Sequence, residues 1–178
     1  MQLIDLGGPD GPYWERAWEL YEASFPPYER RDLASHVEAM GDPHFRCLVV
    51  FDADVFVGIL FYWRWPGLLY VEHLAIDPSL RGKNYGSVVL QQLIDDAGDD
   101  LIMLEIEPPV DGMSQRRLRF YERLGFVMND YSYLHPSYSC NRHWHPLNLL
   151  SFGRQATPDE LEAFCRMMNE RVWVFAGE

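Results

Sequence analysis

The chain has 178 residues, 48% hydrophobic and 15% aromatic, which predicts one globular domain over residues 1–178 with enough apolar material for a core without disulfides or metal. Fifteen basic against 27 acidic residues give a formal net charge of −12, which argues against nucleic acid or an anionic membrane surface as partner and suits a cationic substrate. The N-terminus has no basic start followed by an apolar stretch, and no run approaches the ~18 apolar residues of a membrane span, so a cytoplasmic protein is expected.

Residues 12–24 place Trp14, Ala17, Trp18 and Tyr21 at helical spacing, and Phe25, Pro26 and Pro27 stop that helix. A second helix is predicted over residues 29–40, closing at Gly41. Residues 45–51 and 55–65 read as two strands of a hairpin, with Gly58 marking a bulge or a close backbone approach. The apolar run 68–76 lies between Pro66-Gly67 and Asp77-Pro78, as a strand inside a sheet does. After it, Arg81, Gly82, Lys83, Asn84, Tyr85, Gly86 and Ser87 combine residue types that tolerate positive φ and let backbone approach a ligand. Residues 87–97 follow as a helix with one apolar stripe. A glycine-containing loop that opens a helix presents unpaired N–H groups and the positive end of the helix dipole, which is the chemistry of a phosphate site. The spacing fits neither the P-loop, because Lys83 lies between the glycines, nor the dinucleotide fingerprint, because Val89 stands where its third glycine belongs.

Residues 101–107 read as another buried strand, stopped by Pro108-Pro109, and residues 115–124 as a helix ending at Gly125. Residues 126–133 are expected to form one strand, residues 134–144 an irregular loop, and residues 147–152 a last strand. Thr157, Pro158 and Glu160 make a helix start with a capping box, and Leu161, Phe164, Cys165 and Met168 form its apolar stripe to about Arg171. Cys47, Cys140 and Cys165 are too widely spaced for a disulfide framework and read as buried or idle thiols. His135, Cys140, His143 and His145 follow no zinc spacing, so no metal is expected.

Two of these stretches carry a resemblance. Arg81, Asn84 and Gly86 match the Gln/Arg-x-x-Gly-x-Gly/Ala loop of the GCN5-related N-acetyltransferases, with Asn84 in place of a glycine, and residues 120–126 (FYERLGF) match that family's Tyr-x-x-x-Gly-Phe ending. The likeness covers about residues 49–133, with a C-terminal strand and helix over 146–175 beyond it. It implies an α/β (α+β) fold: a mixed, mostly antiparallel sheet with one central parallel strand pair, flanked by helices. It also implies acetyl-CoA as donor substrate, a primary amine of a small molecule or protein as acceptor, and direct transfer in a ternary complex. A non-catalytic CoA-binding module is the alternative, and a homodimer is left open.

By the same resemblance the pyrophosphate rests on the backbone of Arg81 through Ser87, and the pantetheine arm pairs with Leu74, Ala75 and Ile76, the N–H near Leu74 facing the thioester oxygen. Tyr121 stands where the family places a general acid for the leaving thiolate. Ser114 stands where an asparagine often touches CoA. The acceptor wall falls on residues 25–31, where Phe25 and Tyr28 are the expected contacts and Glu29, Arg30 and Arg31 are otherwise solvated charges. Strand alternation puts Tyr70, Glu72, Leu74 and Ile76 on one face and Val71, His73 and Ala75 on the other. Glu72 is therefore the expected base, with His73 second, and Glu105 and Glu107 are expected to draw in a cationic acceptor.

Overall fold

The computed structural model describes residues 1–138 and 143–176. Strand β1 (Gln2–Asp5), which no sequence pattern announced, pairs antiparallel with β2 (Phe45–Asp52). Strand β2 pairs antiparallel with β3 (Val55–Trp65), and β3 with β4 (Leu68–Ile76). Strand β4 runs parallel to β5 (Leu101–Ile106). The sheet continues through β8 (Trp144–Phe152), which pairs with β5, with β6 (Phe126–Met128) and with β7 (Tyr133–Pro136), all antiparallel. The spatial order is β1-β2-β3-β4-β5-β8-β6, with β7 on β8, so β4–β5 is the parallel pair of an otherwise antiparallel sheet.

Helices cover both faces. Helices α1 (Trp14–Ser24), α2 (Leu33–Ala39) and α5 (Pro158–Met167) share one core, in which Trp14, Ala17, Tyr21, Ala39, Leu161 and Phe164 pack with Trp63 and Tyr70. Helix α3 (Tyr85–Ala97) and helix α4 (Gly112–Arg123) lie on the second core, where Val89, Leu90, Leu93 and Ile94 meet Val71, Leu104 and Ile106. We refer to these as the α1/α5 face and the α3/α4 face. Each buries one apolar stripe of its helices, as a two-sided sheet requires. None of the helices is long and apolar enough, among the described residues, to cross a membrane.

The structure corrects three boundaries. The second helix begins at Leu33 because Asp32 caps it, its carboxylate accepting from the Ser35 N–H at 2.8 Å, and residues 27–29 form a separate 3-10 turn. The strand expected over 126–133 is interrupted at 129–132. There the buried Asn129 side chain donates to the Leu149 carbonyl at 3.1 Å and accepts from the Ala156 N–H at 2.7 Å, in competition with the regular ladder. The expected loop 134–144 overlaps two strands, residues 134–136 belonging to β7 and Trp144 opening β8, and Cys140 lies outside the described residues.

Two bulges shape the centre of the sheet. Val50 pairs with Gly58 but Phe51 with Phe56, which leaves Val57 as an extra residue in β3. Phe61 pairs with His73 but Tyr62 with Val71, which leaves Glu72 as an extra residue in β4. Gly58 also meets β4 closely: a Cβ there would lie 2.1 Å from the Ala75 carbonyl oxygen.

Candidate active site

Strands β4 and β5 are paired only from Leu68↔Leu101 to Val71↔Leu104, although β4 continues to Ile76 and β5 to Ile106. Beyond Val71 the strands part, and the edge of β4 over residues 72–76 faces a split instead of a neighbour. Backbone groups on such an edge are free to pair with an extended ligand. The split connects the two faces of the sheet.

On the α3/α4 face the split meets the loop before α3. Asn84 has φ 66°, the left-handed conformation that its glycine-like position demands, and Gly82 has φ 79°. Among the described residues, the N–H groups of Gly82, Lys83, Asn84, Tyr85, Gly86 and Ser87 donate to no protein acceptor. They surround the N-terminus of a helix of 13 residues and form the cradle that an anionic phosphate needs. Gly86 fits against the Phe120 ring, 3.4 Å from where its Cβ would be. The Arg81 side chain turns back, its Nε donating to the Ile76 carbonyl at 3.1 Å, which closes the end of β4. Leu74, Ile76, Tyr85, Phe120 and Tyr121 gather on this face against the second core. Tyr121 packs on Phe120 and Phe126, its hydroxyl makes no hydrogen bond among the described residues, and burial raises its pKa, so the phenol keeps its proton at neutral pH. Ser114 serves as a cap: its hydroxyl accepts from the Asp111 N–H at 3.1 Å and lies 2.9 Å from the Asp111 carboxylate. That occupies the group expected to reach CoA.

On the α1/α5 face the bulge at Glu72 overturns the simple alternation. Because Glu72 is the extra residue, Tyr70, Glu72, His73 and Ala75 all point to this face, while Val71, Leu74 and Ile76 point to the other. Glu72 and His73 are therefore neighbours, with His73 Nδ1 3.9 Å from the carboxylate. Neither is placed as a free base. The Glu72 side chain is 1% exposed and bound to the wholly buried Arg31 at 2.8 Å, to the Trp63 indole N–H at 3.0 Å and to the Tyr138 hydroxyl. Burial opposes its charge, but the Arg31 guanidinium outweighs burial and, with the nearby His73, holds the carboxyl down at about 2. A carboxylate so stabilised is a poor proton acceptor. His73 Nε2 is engaged with the Glu29 carbonyl at 2.8 Å, and burial holds its pKa at about 4.

Other groups on this face remain less satisfied. The Glu105 carboxylate takes a hydrogen bond from Tyr70 at 3.1 Å and lies 3.5 Å from His135 Nε2, and burial raises its pKa. It is held by these groups and not by Arg64, which pairs with Asp96 and Asp100. Burial and the charge of Glu107 raise Glu29 as well. Glu107 itself is exposed and paired with Arg117 at 2.8 Å. Among the described residues, neither Glu29 nor Glu105 has a Lys or Arg salt-bridge partner. Phe25 packs edge-on against His73 at 4.5 Å, and Tyr28 stacks on His145 at 4.7 Å at the rim. The Tyr138 N–H donates to the Tyr28 carbonyl at 3.0 Å, which ties the rim to the β7–β8 turn.

The family model for the acetyltransferase (GNAT) family matches residues 14–126, which span both the phosphate cradle and the split. The chain belongs to the GNAT acetyltransferase family. A protein from Bacteroides thetaiotaomicron assigned to that family has 29% sequence identity and a TM-score of 0.88, each chain covered over 100% of its length. An aminoglycoside 6'-N-acetyltransferase complexed with coenzyme A aligns at TM-score 0.58 with 17% identity, over 85% of this chain and 96% of that one. The ribosomal-protein-S18-alanine N-acetyltransferase from Escherichia coli aligns at 0.61 with 13% identity, over 89% and 96%. A search of curated proteins returned no match. The last two structures share the fold with this acetyltransferase, and their acceptors are unlike each other, so the fold does not select the acceptor.

In this acetyltransferase the sequence-predicted residues divide by face. Leu74, Ile76, Tyr85, Gly86 and Tyr121 gather on the α3/α4 side with the open cradle, whereas Phe25 and Glu105 lie on the opposite side, Tyr28 stacks on His145, and Glu107, just past the end of β5, pairs with Arg117 of α4. Arg31 falls in the segment expected to form the acceptor wall, but its burial against Glu72 was not foreseen, nor were the places of Tyr138 beside Glu72 and His135 beside Glu105. Arg31 follows a run of charged residues that reads as solvated, and no periodic pattern marks a buried arginine in a loop.

Proposed function

We propose that this GNAT enzyme transfers the acetyl group of acetyl-CoA to a primary amine of a cationic small molecule or protein, directly, within a ternary complex. The observation that carries this reading is the β4–β5 split, which lies between an N–H-rich cradle on one face and carboxylates without a Lys or Arg partner, among the described residues, on the other. The cradle suits a pyrophosphate, and the unpaired edge of β4 suits an extended amide-containing arm at Leu74 and Ile76, although the Ile76 carbonyl already accepts from Arg81 and the Ala75 carbonyl faces β3. The Leu74 N–H is the donor for the thioester oxygen, where negative charge develops. Glu29, Glu105 and Glu107 favour a cation at the acceptor position, and Phe25, Tyr28 and His145 form its walls.

Acetyl-CoA at about 100 times its dissociation constant is expected to stabilise the fold by ~2.7 kcal/mol, a rise in Tm of roughly 5–10 °C for a chain of this size. No thermal shift at millimolar acetyl-CoA would overturn the donor assignment. Thiol release across a panel of cationic and neutral amines tests the acceptor: the cationic members should react faster, and binding without turnover on any amine would favour a regulatory CoA module.

Tyr121 is the proton donor for the leaving thiolate in this reading. A thiolate leaves readily without help, so Tyr121→Phe is expected to lower kcat by only about tenfold, less than general acid catalysis usually contributes, and mainly at alkaline pH. Unchanged kcat across the pH range would assign Tyr121 to packing on Phe126.

A further inference from the structure

We propose that Glu105, assisted by His135, is the group that takes the proton from the acceptor ammonium. This rests on the amine acceptor proposed above and names the residues that serve it.

Glu105 is the first residue of β5 beyond the last parallel pair, so its side chain stands at the root of the split. It points to the same face as Met103, away from Leu104 and Ile106, and therefore to the side opposite the phosphate cradle. Its side chain is 9% exposed and that of His135 is 7% exposed. The two oxygens of the carboxylate are unequally served. One accepts from Tyr70 at 3.1 Å and faces His135 Nε2 at 3.5 Å, while Oε1 has no donor within hydrogen-bond distance among the described residues, the buried Tyr133 hydroxyl being the neutral donor that stands beside the carboxylate. A buried carboxylate oxygen without a donor is costly unless a ligand completes it. An ammonium in the pocket supplies the missing donor and the opposite charge.

The groups around this carboxylate are Tyr70 and Glu72 from β4, Tyr133 and His135 from β7, and Tyr138 from the turn that follows. The nearest guanidinium, Arg31, is committed to Glu72. Burial raises the proton affinity of Glu105 and the charge of Glu72 adds to it, whereas His135 and the phenols oppose the rise. The two buried glutamates thus have different duties: Glu72 is neutralised by its arginine, and Glu105 is left able to accept.

The step balances as follows. Glu105 takes one proton from R–NH3+, directly or through one water, and the freed lone pair forms the N–C bond at the thioester carbonyl. The C–S bond breaks, its electron pair leaves on sulfur, Tyr121 protonates the thiolate, and the second proton lost by the acylated nitrogen restores the Tyr121 phenol. The proton on Glu105 passes to His135 and out to solvent. One ammonium and one acetyl-CoA become one amide, one thiol and one released proton.

The test is the pH dependence of kcat/KM for the best amine of the panel in wild type, Glu105→Gln and His135→Gln. Wild type should level off above the titration of Glu105. Glu105→Gln should fall by ~10²-fold at neutral pH and keep rising with pH towards the amine's own pKa, with KM for acetyl-CoA unchanged. His135→Gln should lose about tenfold and show its plateau at higher pH, because a group that favours the ionised carboxylate is gone. A Glu105→Gln enzyme with the wild-type rate and profile would overturn the assignment, as would an equal loss at every pH with a raised KM for acetyl-CoA. If Glu105→Gln does not fold, unchanged profiles in both His135→Gln and Tyr70→Phe would overturn it instead. A wild type that turns over no amine sinks the acceptor reading and this one with it, whereas an active wild type with unaffected variants sinks this one alone.

Discussion

Arg31→Ala is expected to destabilise the protein by about 3–5 kcal/mol, the usual cost of removing one partner of a buried ion pair. Arg31 is wholly buried, and its guanidinium touches Glu72 at 2.8 Å, the Tyr138 hydroxyl at 3.4 Å and the Val172 carbonyl at 3.3 Å, while its own N–H donates to the Tyr21 hydroxyl at 3.0 Å. The side chain thus ties together the bulge of β4, Tyr138 after β7 and the segment after α5, while the backbone N–H of the same residue holds α1 through Tyr21. Truncation leaves Glu72 buried without a counter-charge, so urea unfolding should show a lower midpoint. Replacing both partners by apolar residues of similar size should cost less than Arg31→Ala alone.

The same pair sets a pH dependence with a defined sign. Glu72 is held at about 2 in the folded chain, below its ordinary 4.5, so the pair's contribution is complete above 4.5 and is lost as pH falls from there towards 2. In Arg31→Ala the guanidinium no longer offsets burial, which pushes the carboxyl up, so the variant should gain stability as pH falls from neutral towards 4.5 and should lack the loss that wild type shows from 4.5 towards 2. Melting temperatures of the two proteins between neutral pH and pH ~3 should therefore converge. Parallel curves would show that Glu72 is not governed by Arg31.

Gly58→Ala is the second large effect expected. The added Cβ would sit 2.1 Å from the Ala75 carbonyl oxygen, a backbone atom of the neighbouring strand that cannot swing aside. Strands β3 and β4 must move apart, at a cost at or above the ~1–3 kcal/mol typical of overpacking. Ala75 also lies between Leu74 and Ile76, in the part of β4 beyond its last pair with β5, so moving it shifts the edge that faces the split. The variant should therefore lose more of its acetyl-CoA thermal shift than its own fall in Tm explains. A Gly58→Ala variant with wild-type stability and an undiminished shift would show that the sheet yields there without disturbing the site.

Much of the donor side was legible in the sequence because its signals are local. Asn84 in a glycine position required a left-handed backbone, and its φ of 66° meets that requirement. The Thr157–Glu160 capping box forms as its spacing predicts, and Asp77-Pro78 ends β4 where proline removes a donor. The two motifs of the resemblance follow the two strands of the parallel pair and meet on one face, where Gly86 fits against the Phe120 ring.

The acceptor side was decided by contacts between distant segments. Alternation along β4 separated Glu72 from His73, but pairing with β3 inserts a bulge at Glu72 and turns both side chains to the same face. Only that pairing, which no pattern within residues 68–76 expresses, brings Glu72 to Arg31 and withdraws it from proton transfer. Likewise, Asn129 breaks the strand expected over 126–133 by bonding to Leu149 and Ala156, and the chain then places His135 beside Glu105. The sequence by itself determined the succession of elements from α1 to α4, the left-handed N–H-rich loop before α3 and the residue types available for catalysis, since the local elements depend on backbone preferences within a few residues. Tertiary structure decided which carboxylate is neutralised and which is left able to accept a proton, because burial and charge pairing act through space between residues as far apart in the chain as Arg31, Glu72 and Tyr138.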